Sequence, residues 1–508
     1  RIVNKEITGT EKEINHYLGE VYFFRAYDYY RLLTNYGDVP IIEEELPDDI
    51  SILKVSTRRA PRNEVARFMI RDLEIADSLM METAPSTGRL SRDCARLMLA
   101  RVALFEATWE KYHAGTCFVP GNAKWVGAKM HPDFTFKAGS AEAEINFFLD
   151  KAIEYSDMVA KARPLYSDYK KMFTSDDIDA IPEVLLAKSY VAAVNGHGVN
   201  RALSLAGKTG YTRSLVESFL MDNGLPIYAA GDYYQSDTTI ESVLANRDNR
   251  LVESLNNVSR PRIGSRENEY TPTGYQVSKW LNPDQTGSET GGTTANPIFR
   301  SAEAYCIYLE AYYERHKDLG GNCDSYWKAL RSRAKTNTDY METINHTDLS
   351  KERDLAAKTK GIDATLYNIR RERRCEFIAE GMRLNDLKRW RALDYMVNYD
   401  MMGMNLWEEM YKRFAGEDGT IEINPDVISQ YEPGDPDGKY IRVFKVNESD
   451  KAYNGYNFPK PHYLEPIPLS EILLTADDAT DLDNSNIYQN PGWPVETGSV
   501  ADYTYDCD

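Results

Sequence analysis

Seven histidines and six cysteines are all the imidazole and thiol groups that 508 residues offer. The cysteines (Cys94, Cys117, Cys306, Cys323, Cys375 and Cys507) are scattered, with no C-x-x-C and no clustering with histidine. That spacing argues against a zinc site. Their low density gives no disulfide framework, although individual disulfides stay open. Long apolar runs are missing too: none approaches the roughly 18 residues that a membrane-spanning helix needs. The chain holds no G-x-S-x-G, no H-E-x-x-H and no phosphate-binding loop, so the common hydrolase, metalloprotease and nucleotide fingerprints are absent. Positive charge is in short supply, with a formal net charge of −19. Nucleic acid is therefore an improbable partner, because phosphate tracking needs concentrated lysine and arginine. Polyanionic ligands are disfavoured more weakly, since a local basic pocket can override the overall field. The chain opens on a polar, helix-compatible stretch at Arg1 with no signal peptide, and is expected to lack its true N-terminus.

What is present is ordinary for a large soluble protein: 42% hydrophobic and 27% charged residues. The length suits two to four domains or one extended repeat architecture. Tyrosine is abundant, 35 residues against 16 phenylalanines, and rings with apolar faces and polar tips suit surfaces that grip ligands. Helical periodicity comes in pairs. Residues 17–33 and 62–80 flank a GDVP break, where glycine ends one helix and proline prevents its continuation. Residues 92–112 and 141–161, then 301–315 and 325–335, then 365–380 and 384–398, form three further pairs, the last hinged at Gly381. Small residues beside large aromatics recur, the texture of tetratricopeptide-type hairpins, although a 34-residue period is not clean.

Between the pairs lie residues 182–280 and 398–466, rich in Gly, Asn, Asp, Pro and Tyr. They carry two strand-like runs, EVLLAKSYVAAV and KYIRVFKV. Excursions of this length inside a domain are usually functional. The stretch from Arg373 to Trp390 poses a separate choice. Glu372, Glu376 and Glu380 stack at i, i+4 on one helical face. They make either a carboxylate pair for acid–base work or scaffolding. In the scaffolding reading Arg373, Arg374 and Arg383 neutralise them, while Cys375, Phe377, Ile378, Met382, Leu384 and Leu387 pack inward. Charged helix faces are most often solvated or ion-paired, so scaffolding is the expectation.

From Arg370 to Trp390 the sequence RRERRCEFIAEGMRLNDLKRW resembles the signature of the SusD/RagB family of nutrient-binding outer-membrane lipoproteins. Five further stretches are similar to that family in the same order: Tyr17–Ile42 (YLGEVYFFRAYDYYRLLTNYGDVPII), Ser218–Ile227, Arg247–Leu251, Arg300–Glu314, and PIPLSEIL at Pro466–Leu473 with QNPGW at Gln489–Trp493. The chain departs from the family in a tail past Trp493 and in lacking the lipidated N-terminal cysteine. The resemblance implies a mostly α fold, a right-handed superhelix of four tetratricopeptide-like pairs with long irregular loops and little β structure. It implies one SusD-like domain over 1–508: two helix pairs in 17–162, a loop-rich insertion in 163–299, two pairs in 300–398 and a loop-rich region in 399–508. It also implies a non-catalytic surface protein, anchored to the outer membrane by a lipid absent from this chain. Such a protein captures oligosaccharide for a SusC-like TonB-dependent transporter. The same architecture with a peptide ligand is the first alternative. A helical-barrel glycoside hydrolase, which would need paired Asp and Glu at loop ends, is the second.

Family motifs carry the fold, so a ligand site must be sought in the loops. A sugar stacks its C–H face on an aromatic ring while its hydroxyls bond to nearby polar groups. The candidates are aromatics in non-periodic polar segments: Trp125, Tyr190 with His197, Tyr211, Tyr233, Tyr234, Tyr270, Tyr275 and Trp280. Trp109, Trp327 and Trp390 sit in helical periodicity and are assigned to packing. No cofactor is expected. The run Asp477–Asn484 offers oxygen ligands for a weakly held calcium ion, but it lacks the spacing of a calcium loop, and a solvated acidic loop is the expected state.

Overall fold

The computed structural model describes residues 8–205, 209–257, 271–285, 290–413, 418, 424–476, 482 and 485–508. Candidate Tyr270 and nearly all of the candidate calcium run lie outside the described residues. Eight helices make the frame: α1 (Glu11–Tyr36), α2 (Arg62–Leu79), α3 (Arg92–Tyr112), α4 (Ala141–Ala162), α5 (Ala302–His316), α6 (Cys323–Arg333), α7 (Ala364–Glu376) and α8 (Arg383–Arg389). Their ends follow local chemistry. Thr10 caps α1 in a reciprocal box with Glu13, and Gly37 ends it at φ 72°, a left-handed conformation that glycine adopts without strain. Pro61 precedes the first turn of α2, while Ser140 and Asp363 accept backbone N–H bonds at the starts of α4 and α7.

Successive helices pack in order, α1 on α2, α2 on α3 and α3 on α4, and α5 then returns to α4 across the long insertion. This stacking is the tetratricopeptide-like superhelix expected from the pairs. Close approach is built in. A Cβ added at Gly19 would sit 2.6 Å from Met80 Cγ and 3.3 Å from the Ala76 carbonyl, so glycine there lets α1 lie flat on α2. Helix α3 is buried around most of its circumference and carries Trp109 into the main core beside Phe105, Phe118 and Tyr463. Trp109, Trp327 and Trp390 are all buried.

The last pair differs from the expected hairpin. Helix α7 stops at Glu376, because Ala379 and Gly381 take positive φ (58° and 77°). Helix α8 is short and packs on α3, while α7 packs on α5. The Arg373 Nε to Asp386 bond (2.9 Å) ties the two together. Leu384, expected to pack inward, is exposed on α8.

The two strand-like runs give little sheet. From the first comes β1 (Val184–Lys188), antiparallel to β2 (Asn296–Arg300) with Lys188 opposite Asn296. From the second comes only the end of a second ribbon, β3 (Met402–Asn405) with β4 (Tyr440–Arg442). The remaining VFKV turns away, and Lys445 bonds Glu432.

Glu372, Glu376 and Glu380 are scaffolding, but not with the partners expected. Glu372 pairs with Arg250 (2.7 Å) and Arg331 (3.4 Å). Glu376 pairs with Arg300 (2.6 Å), Arg250 (3.1 Å) and Arg333. Glu380 pairs with Arg300 (2.7 Å) and Lys279 (2.6 Å). The neighbouring arginines serve elsewhere: Arg373 holds Asp386, and Arg374 and Arg383 hold Asp354. Each carboxylate thus ties the α7 segment to a distant part of the chain, which pairing within one helix could not do.

Candidate functional site

Two small cores flank the frame. One gathers Tyr211, Phe219, Tyr275, Cys375 and Met404. The other gathers Tyr169, Phe173, Ile178 and Ala295. Trp280 is partly buried against both. Its indole meets the Phe173 ring edge-on at 4.9 Å, and its Nε1 donates to the Ala379 carbonyl at 3.1 Å. The positive φ of Ala379 belongs to the turn that presents this carbonyl.

A cavity of about 280 Å³ opens at this seam, lined by Trp280, Tyr190, His197, Thr294, Asn296 and Glu380, with Val199 and Ala379 completing the wall. Tyr190 and His197 lie far from Trp280 in sequence and reach it through backbone pairing. His197 forms a two-way bridge with Gly292 (N–H to O at 3.0 and 2.9 Å), which draws the 190–199 loop onto the segment leading into β2. The His197 ring is held at both nitrogens: Nε2 bonds the Thr294 carbonyl at 3.0 Å, and Nδ1 accepts from the Val199 N–H at 3.3 Å. Tyr190 then packs edge-on against that ring, centroids 4.6 Å apart.

The acid in the wall is poised to accept. Burial alone would raise the Glu380 carboxyl, but Arg300 and Lys279 outweigh it and hold it below its usual value. Lys279 is itself buried under the Phe173 ring (4.0 Å) and donates to the Ile378 carbonyl (2.9 Å). Burial pulls its ammonium down to about 8, against the opposing pull of Glu380. An ionised, doubly bonded carboxylate cannot donate a proton, so this wall suits hydrogen-bond acceptance rather than acid catalysis.

Tyr190, His197 and Trp280, three of the aromatics singled out from sequence, therefore come together. The other described candidates do not join them. Trp125 is only 3% exposed. Its Nε1 donates to Asp38 (2.9 Å) and its ring stacks on His131, so it offers no face to a ligand. Tyr211 and Tyr275 are 5% and 2% exposed and face each other across an isolated backbone bridge inside the first of the two small cores. These three side chains are packing residues. Tyr233 is 40% exposed and bonds Asp222, and Tyr234 lies under the Arg247 guanidinium; neither lines the cavity. Thr294 and Asn296 were not among the candidates, and Glu380 was weighed only as a catalytic or scaffolding carboxylate of its helix. Glu380 was hidden because its motif reads wholly as frame, and the positive-φ turn that brings it to the wall is carried by an alanine.

Comparison with known proteins agrees with this architecture. The SusD family matches residues 187–493, and a second description, "Starch-binding associating with outer membrane", matches residues 2–104. The chain belongs to the SusD family. A curated relative, SusD-like protein P2 of Formosa agariphila, is 31% identical over 128 residues. That match spans a quarter of this chain and a quarter of the relative's length. A SusD-like carbohydrate-binding protein of Bacteroides fragilis superposes with a TM-score of 0.63 at 15% identity, over 93% of this chain and 81% of that one. A structure solved with xylogluco-oligosaccharide superposes with a TM-score of 0.55 at 17% identity, over 94% of this chain and 84% of that one. At these identities the likeness is one of fold.

Proposed function

We propose that this chain is a non-catalytic glycan-binding protein of the outer cell surface, and that it hands oligosaccharide to a TonB-dependent transporter of the SusC kind. The observation that carries the reading is the convergence of Tyr190, His197 and Trp280 on one cavity. There, partly buried aromatic surface meets a carboxylate, an amide and a hydroxyl, the combination that takes a sugar's C–H face and its hydroxyls together. Family membership supports it, as do structural relatives described as carbohydrate-binding or solved with a xyloglucan fragment. The 163–299 insertion supplies most of the wall and the helical frame holds it still.

The transporter would meet the outward face of α1, where Tyr17, Val21, Phe24 and Leu32 form an exposed apolar stripe. Monomeric proteins rarely leave such stripes uncovered. Calorimetry against plant, fungal and bacterial oligosaccharides tests the binding claim: saturable heat with at least one glycan is expected, with no reducing ends released on prolonged incubation. Turnover of any glycan, or saturable binding to peptides with none to glycans, would overturn it.

A further inference from the structure

The tail beyond Trp493 lies outside the stretch matched by the SusD family, yet it is docked. Asp502 N–H bonds the Gly492 carbonyl (2.8 Å), Ala501 is buried, and Tyr505 packs on the main core. The Asp508 carboxylate bonds Lys460 (2.5 Å) and Arg391. The penultimate residue, Cys507, is buried and accepts, through its carbonyl, the backbone N–H of buried Cys117 at 3.1 Å. That backbone bond makes the two residues close neighbours, as a disulfide requires, since its α-carbons lie roughly 4.4–6.8 Å apart. The neighbouring Cys507 thiol, together with burial, pushes the Cys117 thiol above its usual range. The remaining cysteines are buried too; Cys94 and Cys375 bond the carbonyls of Leu185 and Ser218.

We propose that Cys117 and Cys507 are a disulfide-forming pair that clasps the C-terminal tail to the loop following α3. In the step, a thiolate of the pair attacks the disulfide of an oxidant, either a thiol–disulfide oxidase or oxidised glutathione. The second thiolate then displaces the mixed disulfide. One Sγ–Sγ bond forms, the two thiol protons go to solvent or to the released thiolates, and the oxidant's disulfide takes up two electrons to become two thiols. Tyr503 is exposed, so lifting the tail segment around it gives the oxidant access without opening the helical frame. The clasp fixes the tail where Asp508, with Lys111, Tyr112, Trp390 and Arg391, walls a second cavity of about 650 Å³. The cell-surface reading matters here only as the natural source of oxidant.

The test needs neither that location nor a ligand. Fully reduced protein, held native in a buffer of oxidised and reduced glutathione, is denatured and its free thiols counted. A fall from six to four is expected, with a Cys117–Cys507 cross-linked peptide in the mass map. Chymotrypsin cutting after Tyr503 or Tyr505 should leave the Cys507-containing peptide attached in the oxidised protein and release it after reduction. Cys507→Ser, and separately Cys117→Ser, should keep all five remaining thiols and lose the rise in melting temperature that oxidation gives the parent. Six thiols retained, only mixed disulfides with glutathione, or a different pair in the map would each overturn the proposal.

Discussion

Replacing Glu376 by glutamine removes one charge from a buried lattice while keeping the shape of the side chain. Glu376 is fully buried, and its carboxylate meets Arg300, Arg333 and Arg250, each about as inaccessible. Around it, Glu372, Glu380, Glu183 and Asp248 face Arg331 and Lys279 as well as those three arginines, so five anionic groups balance five cationic ones. Burial opposes the charge on Glu376, yet Arg333, Arg300 and Arg250 hold its carboxyl well below the usual range. The amide would leave one guanidinium charge uncompensated in the interior, and breaking a buried pair in this way costs about 3–5 kcal/mol. Denaturant unfolding at neutral pH, followed by circular dichroism, should show Glu376→Gln less stable than the parent by about that amount. An exposed carboxylate is the control: Glu342→Gln, whose partner is the exposed His346, should change stability by no more than about 0.5 kcal/mol. If Glu376→Gln unfolds within about 1 kcal/mol of the parent, the buried lattice is not what joins the frame to the insertion.

Acid should unfold the protein through the same kind of site. Burial would raise Glu314, but Arg370 and Lys111 bring it down to about 2, below its ordinary 4.5. A carboxyl lowered by folding gives its full contribution above the unfolded value and loses it as pH falls from about 4.5 towards 2. From this one group that contribution is about 3 kcal/mol. Melting temperature measured from pH 7 to pH 3 should therefore drop steeply below about 4.5, and a flat profile would contradict the pairing. Lys279 works in the opposite sense: its folded value near 8 lies below its unfolded value. Its buried charge weakens the fold at neutral pH, and this penalty should fade as pH rises from about 8 towards 10.5, visible as a smaller alkaline gain in Lys279→Met. Trp125→Ala should lose about 3–5 kcal/mol of stability, as large aromatic truncations in cores do, while leaving glycan affinity unchanged. A selective loss of affinity would return Trp125 to the site.

The frame was legible in the sequence where local chemistry decides it. Residues 62–80 and 92–112 fell within a residue of the observed helices because proline or a polar break sets each end and apolar spacing sets the buried face. Legibility failed where the deciding partner lies far along the chain. Nothing near Glu376 indicates Arg300 or Arg250, and the polar run around Trp125 gives no sign that Asp38 waits under its indole. Tyr211 and Tyr275 read as loop aromatics for the same reason, although each is the other's backbone partner. For the cavity, the aromatic half could be found from loop composition. The polar half could not, since Thr294 and Asn296 resemble any strand approach and Glu380 reads as part of a structural motif.

The most direct test is a calorimetric comparison of Trp280→Ala and Tyr190→Ala with the parent, using whichever oligosaccharide the parent binds, alongside Tyr233→Ala as an exposed aromatic away from the cavity. Each cavity variant should weaken binding by about 1 kcal/mol or more, the scale of one lost ring contact, with Tyr233→Ala unaffected. Unchanged isotherms for both cavity variants, or loss confined to Tyr233→Ala, would place the glycan site elsewhere.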